Sequence, residues 1–190
     1  MDPNFYLASR SARRVQMLRE AGYRFTCLPA DILELAAPAE SPADFARRLA
    51  LQKASAVGPP LPRPVLGADT DVAIDGEILG KPHDRADAID MLLRLSNRAH
   101  EVHSAVAVVA GDRQAIEATC TEVVFGRVTR AEAEAYWATG EPADKAGAYA
   151  IQGGAARWVR EIRGSYSGVV GLPLYETVEL LRRFGLEPGA

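Results

Sequence analysis

Apolar and polar positions along this chain follow two different periods, and the switches between them mark the elements. Residues 4–8 and 24–28 are short apolar runs that read as strands. Between them Val15, Leu18 and Ala21 recur at helical spacing behind Ser11, a capping residue, and Gly22 stops the helix. Ser41, Pro42 and Asp44 supply a cap, a proline at the first helical position and an acid at the third, opening a helix to about Val57. Residues 58–64 hold four prolines and read as a rigid loop, not a domain linker. Residues 65–68 are a buried-type strand, and residues 71–79 read as a hairpin turning at Asp75-Gly76. Asp84 caps a helix carrying Ala88, Met91, Leu92 and Leu95. Two long β segments follow, 99–110 and 115–128, turned at Gly111-Asp112. Thr129 and Glu132 form a capping box for a helix that stops at Gly140. Residues 148–151, 158–162 and 168–170 read as short strands or loops. Pro173 starts a last helix with Leu174, Val178, Leu181 and Phe184 on one face. The pair of long antiparallel strands argues against a pure βαβ array. The expected fold is α/β: a mixed twisted sheet flanked by helices, with two lobes and a central cleft, residues 1–190 forming one domain.

Composition narrows the partners. Hydrophobic residues make up 48% and charged residues 25% of the 190, which is the globular range. A net charge of -3 argues against broad nucleic-acid binding but leaves room for a local anion pocket. No apolar run is long enough for a membrane span. The opening MDPNFYLAS lacks the regions of a signal peptide, so a cytoplasmic location is expected. Cys27 and Cys120 stand apart from any ligand pattern and read as buried spectators in a reducing compartment. The cations are lopsided, with 33 alanines accompanying 19 arginines and only three lysines, at Lys53, Lys81 and Lys145. A compositional bias toward Ala and Arg makes those lysines the positions to examine.

Several segments carry chemistry. In residues 7–14, LASRSARR, a strand ends in a Ser-rich turn and Arg13 and Arg14 fall in the first helical turn. Cations are disfavoured there, but amides, hydroxyls and guanidiniums together suit an anion; the alternative is a surface arginine pair on a capped helix. In GADTD, Asp69 and Asp71 are expected on opposite faces, with Asp69 the better placed to hold a divalent ion or activate water; both could equally be turn-forming acids. The segment 76–82, GEILGKP, fails as a phosphate-binding P-loop because its glycines are too close and Pro82 replaces the Ser or Thr, although Lys81 could reach a phosphate as a point charge. Lys53 falls on the apolar face of its helix and either snorkels outward or points into a polar cleft. Residues 141–154 form a Gly-rich stretch in which Gln152 offers a donor and an acceptor suited to a pyrimidine edge, or the stretch is simply a long connection. His83, His100 and His103 show no trustworthy ligand spacing, since His100 and His103 would face opposite sides of a strand.

Taken in order, LASRSARR, ESPADFARRLALQKA, VLGADTDVAIDGEILGKP, DKAGAYAIQG and GSYSGVVGLPLYET resemble the Maf family of septum-formation-inhibitor-like nucleotide pyrophosphatases, over nearly the whole chain. The resemblance implies hydrolysis of a nucleoside triphosphate to a monophosphate and pyrophosphate, a cleft between two lobes, and a divalent cation, Mg2+ or Mn2+. Glutamine in DKAGAYAIQG resembles the branch acting on dTTP and UTP, whereas the 7-methyl-GTP branch typically has glutamate there. Carried over, Asp69 becomes the proton acceptor and Arg13, Thr70 and Gln152 the specificity positions. Ser9, Arg14, Glu34, Lys53, Lys81, Asp144 and Lys145 become active-site residues, with Asp69 and Glu34 toward the ion. Ala12 departs from the family's usual proline, and Asp71 from its usual apolar residue; Asp71 is expected to be a solvated neighbour. The alternatives are a 7-methyl-GTP pyrophosphatase and a nucleotide-binding regulator of septum formation without chemistry. The partner is a free nucleotide rather than a polymer or a membrane, with the oligomeric state, a homodimer included, left open.

Overall fold

The computed structural model describes residues 3–57 and 61–189, so the first part of the proline-rich loop, residues 58–60, lies outside the described residues. Its strands are β1 (Phe5–Leu7), β2 (Phe25–Cys27), β3 (Val65–Ile74), β4 (Glu77–Leu79), β5 (Ala99–Ala110), β6 (Arg113–Phe125) and β7 (Val159–Arg163). They form one sheet in the order β2-β1-β3-β5-β6-β7, with β4 paired to the end of β3. β1 runs parallel to both β2 and β3, and the remaining pairs are antiparallel, which makes the sheet mixed as expected.

The helices are α1 (Ala12–Glu20), α2 (Pro42–Ala56), α3 (Arg85–Leu95), α4 (Arg130–Trp137), α5 (Tyr166–Val170) and α6 (Leu174–Arg183). Ser11, Ser41, Asp84 and Thr129 each accept an amide hydrogen bond from the first turn of the helix they cap, and Thr129 with Glu132 completes the capping box. The hairpin between β3 and β4 turns where expected: Asp75 and Gly76 both have positive φ, the geometry of a two-residue turn.

Three segments depart from the sequence reading. β3 runs unbroken from Val65 to Ile74, because its backbone pairs with β5 from Val65 to Ala73 whatever the side chains; the acids only hide the strand from a hydrophobicity pattern. β6 ends at Phe125 rather than 128, at an irregularity in its pairing with β7. Residues 168–170 belong to the short helix α5, capped by Ser165, instead of a strand.

Alternation along β3 and β5 divides the core in two. Leu66, Ala68 and Val72 of β3 and Val102, Val106 and Val108 of β5 face the larger core, with side chains from α1, α3, α4 and α6. Val65, Ala105 and Ala107 face the other way, onto Ala46, Ala50 and Ala54 of α2. The second interface is built of alanines, so helix and sheet approach closely. At Gly67 an added Cβ would stand 2.2 Å from the Ala50 carbonyl oxygen and 2.6 Å from the Ala54 nitrogen, both backbone atoms. Gly67→Ala therefore forces α2 off the sheet and should lower stability by about 1–3 kcal/mol in denaturant unfolding. Gly80→Ala, whose Cβ would meet nothing within 4 Å, is the matched control and should leave the midpoint unchanged.

Candidate active site

β1 pairs with β3 only as far as Leu66, and β4 takes up the same edge again at Val72. In between, residues 67–71 have a strand neighbour on the β5 side alone. The notch opens beside the carboxyl end of β1, where open α/β sheets hold their ligands.

Ser9 lies buried at that exit, and its Oγ accepts from the Ser11 amide at 3.2 Å and from Arg14 Nη1 at 3.3 Å. Arg13 and Arg14 start α1 against an unfavourable helix dipole. Carbonyls at the end of α5 hold them there. Arg13 Nε donates to the Val170 carbonyl at 3.1 Å and Arg14 Nε to the Gly171 carbonyl at 2.8 Å. Burial lowers the Arg14 pKa, while the charge of Asp69 works in the opposite direction.

From the other side, α2 delivers Lys53. Its side chain does not snorkel: the ammonium is buried and bonds to Asp69 Oδ1 and, at 2.5 Å, to Glu34 Oε1. Lys81, largely exposed at the start of the segment after β4, lies 3.8 Å from Glu34 Oε2. Lys53, Asp69, Glu34 and Lys81 thus form one chain of alternating charge, with the field of Arg14 bearing on Asp69 and Glu34.

The expectation for Asp71 is corrected. Residues two apart on a strand share a face, and β3 is continuous, so Asp71 sits beside Asp69 on the α2 side and is buried instead of solvated. Burial first, and then the charge of Asp69, push its carboxyl up to about 10. Asp69 Oδ2 and Asp71 Oδ2 are both buried without a hydrogen-bond partner.

Thr70, between them in sequence, points to the opposite side. Its Oγ1 lies 2.9 Å from Ser104 Oγ, which donates to the Gly168 carbonyl at 2.6 Å. Gly147 packs against the Val72 side chain, and its amide donates to the Gly80 carbonyl at 3.1 Å. This brings the 141–154 stretch to the Thr70 face. In it Lys145 binds Asp144 and, at 3.3 Å, the Glu141 carbonyl. The Lys145 hydrogen bond, with a smaller contribution from Arg13, holds the Asp144 carboxyl below its usual range. Gln152 is exposed, and the Thr70 side chain turns to Ser104, away from the acid–lysine chain.

Two residues that sequence reading did not single out hold Gln152 from both sides. The Tyr136 hydroxyl donates to Glu141 and accepts the Ala150 amide at 3.1 Å, and Glu141 Oε1 accepts the Gly154 amide at 3.0 Å. The visible trace was the Gly153-Gly154 pair: a Cβ on Gly153 would meet the Glu141 carboxylate. The cysteine expectation also fails, since Cys27 and Cys120 are both exposed. Cys120 joins Glu101 and His103 in a group of donor atoms close enough to hold a metal ion. No helix of the described residues is long and apolar enough to cross a membrane.

A family model described as Maf-like protein matches residues 4–184. The chain belongs to the Maf-like family. Among Maf-like relatives, a dTTP/UTP pyrophosphatase of Symbiobacterium thermophilum is 50% identical over 94% of this chain and 93% of its own. The proteins of the same name from Saccharophagus degradans and Vibrio vulnificus are 47% and 49% identical, covering 95% and 94% of this chain and 89% and 97% of their own. Among solved structures, a HAM1 protein from Coxiella burnetii overlaps with a TM-score of 0.45 at 20% identity, over 65% of this chain and 73% of that one.

A further set of hydrogen bonds ties down the loop that carries Glu34. Glu34 lies in a loop whose Leu33 and Leu35 are exposed, and the loop is anchored through Glu40. Glu40 accepts from Arg48 Nε at 2.6 Å and from the Ala37 amide at 2.9 Å, while Arg48 Nη2 donates to the Leu35 carbonyl at 2.9 Å. The Arg48 hydrogen bond pulls the Glu40 carboxyl down from 4.5 to about 2. The folded protein therefore holds this proton less tightly than the unfolded chain. The stabilisation is complete above pH 4.5 and is lost as pH falls toward 2. Glu40→Gln should remove that acid-side slope from the stability–pH curve and speed limited proteolysis within residues 28–40 at neutral pH.

Proposed function

We propose that this chain hydrolyses nucleoside triphosphates, dTTP and UTP first, between the α and β phosphates, releasing a monophosphate and pyrophosphate. The observation that carries the reading is the buried acid pair beside Lys53. A carboxylate and a protonated carboxyl side by side are costly to bury, and binding alone gives no reason to keep them. The names of the close relatives support the same activity and substrate class.

Arg13, Arg14, Lys53 and Lys81 take up phosphate charge, and Ser9 holds Arg14 in place. Phosphoryl transfer of this kind is mostly positioning and charge neutralisation. Asp69 is the proton acceptor for the water that attacks the α phosphorus, with Lys53 fixing its carboxylate. Asp144 and Lys145 place the 141–154 stretch, and Thr70 and Gln152 read the base edge. The unpartnered oxygens of Asp69 and Asp71, with Glu34 opposite, suit a hard oxygen-liganded cation. Asp69 and Glu34 would hold it, and Mg2+ or Mn2+ would supply neutralisation of the phosphate charge there. The reading includes a cytoplasmic protein acting on free nucleotides rather than polymers, with residues 1–190 working as one domain around a cleft between two lobes, as a homodimer or alone.

A panel of canonical and modified triphosphates with pyrophosphate detection tests the assignment. Turnover is expected with dTTP and UTP and not with 7-methyl-GTP. Preference for 7-methyl-GTP would move the chain to the other branch, and tight binding without pyrophosphate from any nucleotide would make it a regulator. Asp69→Asn should cost about 10²–10⁴-fold in kcat with dTTP and magnesium. Full turnover in that variant would remove Asp69 from proton transfer. Lys53→Arg should also impair kcat, since a planar guanidinium does not fit where a compact ammonium meets two carboxylates.

A further inference from the structure

The side of the sheet that carries Asp69 and Asp71 continues onto β5 and β6, where it presents a different set of donor atoms. Asp71 pairs across strands with His103, and His103 pairs in turn with Cys120. Glu101, two residues before His103, shares its face. Glu101 Oε2 lies 2.8 Å from His103 Nε2, Cys120 Sγ lies 4.0 Å from the same nitrogen, and all three atoms fall within 4.8 Å of one another. His100 is not part of the group. It faces the larger core, where its Nε2 meets the Tyr149 hydroxyl at 2.9 Å and its ring stands edge-on to Phe125.

A thiolate, an imidazole and a carboxylate are the donors of a borderline-soft ion. Zinc bonds of about 2.0–2.3 Å place tetrahedral donors roughly 3.3–3.6 Å apart. The 2.8 and 4.0 Å separations bracket that spacing, so small side-chain rotations satisfy it without moving the backbone. Two strands in unbroken register hold His103 and Cys120, His103 is buried, and Glu101 and Cys120 remain open to solvent. The contrast with the acid pair is chemical: Asp69, Asp71 and Glu34 offer oxygen alone.

We propose that Glu101, His103 and Cys120 form a binding site for a zinc-class divalent cation, distinct from the oxygen-liganded site at Asp69 and Glu34. Three protein ligands leave a fourth position for water or an exogenous donor. Binding forms the metal–sulfur bond and releases the Cys120 thiol proton to solvent; no oxidant or reductant takes part.

Cobalt(II), which replaces zinc and reports a thiolate ligand through a near-ultraviolet charge-transfer band, is titrated into the full chain with magnesium in large excess. The expected result is one equivalent bound with that band present. Cys120→Ser should abolish the band, His103→Ala should weaken binding by about 10–100-fold, and Glu101→Gln should weaken it measurably. Cys27→Ser and Asp69→Asn should bind as wild type does. As a second measurement, zinc at a concentration that just saturates the wild type should protect its Cys120 from alkylation by iodoacetamide, and should protect Cys120 of His103→Ala far less. The proposal is overturned if no band forms, if His103→Ala binds cobalt as tightly as the wild type, or if Asp69→Asn abolishes binding. A chain that lacks pyrophosphatase activity yet binds cobalt in this pattern would leave the site standing without the enzymatic reading.

Discussion

Everything in the notch depends on how near α2 comes to β3. A helix on a sheet usually stands off by the length of its side chains. Here alanines face alanines, and a glycine takes the position where the backbones meet. The gap is too small for solvent and too small for most side chains. A lysine one turn further along is therefore carried down to the level of the strand, and its ammonium meets the first polar residue that β3 offers. With larger residues along that helix face, the same lysine would end in water.

Burying such a group costs free energy, and the arrangement offsets the cost only in part. Lys53 is matched by Asp69 and Glu34, but the second acid of β3 has no cation of its own. Burial first, and then the charge of Asp69 on the same face, lead Asp71 to keep its proton. Such a cluster is held together by the surrounding hydrogen-bonded strands, not by its own energy. An incoming positive charge relieves the imbalance. The Arg13 and Arg14 pair has the opposite imbalance, being cations at a helix end that disfavours them, and relief there comes from an incoming anion. The two halves of the notch are each incomplete in a complementary sense.

Much of this was legible in the sequence because it rests on local rules. Caps at Ser11, Ser41, Asp84 and Thr129, the Asp75-Gly76 turn and the two long strands all follow from nearby residues. The ordered motif blocks carried the family and the candidate site. What escaped was set by pairing over distance. β3 looked interrupted because polar side chains broke the apolar run, although its hydrogen bonds to β5 do not depend on them. Asp71 was misplaced for a different reason: residues two apart on a continuous strand line one face, so opposite faces were never available to the two acids. Tyr136 and Glu141 looked like ordinary residues at a helix end, and only the folded chain shows them gripping the amides on either side of Gln152. Cys120 is brought to His103 by strand register across 17 residues, with no motif to announce it.

The hydrogen bonds from Arg13 and Arg14 to the carbonyls of Val170 and Gly171 span 157 residues of chain. A ribosome therefore makes the arginines well before their acceptors. During synthesis α1, α2 and the central strands can assemble while the two guanidiniums still lack the partners that aim them. The two guanidiniums are thus aimed only once the end of α5 has been made. A chain cut short before α5 keeps the residues of all seven strands and yet leaves both arginines without the acceptors that fix their direction, so the aim of this pair depends on a segment made after the sheet.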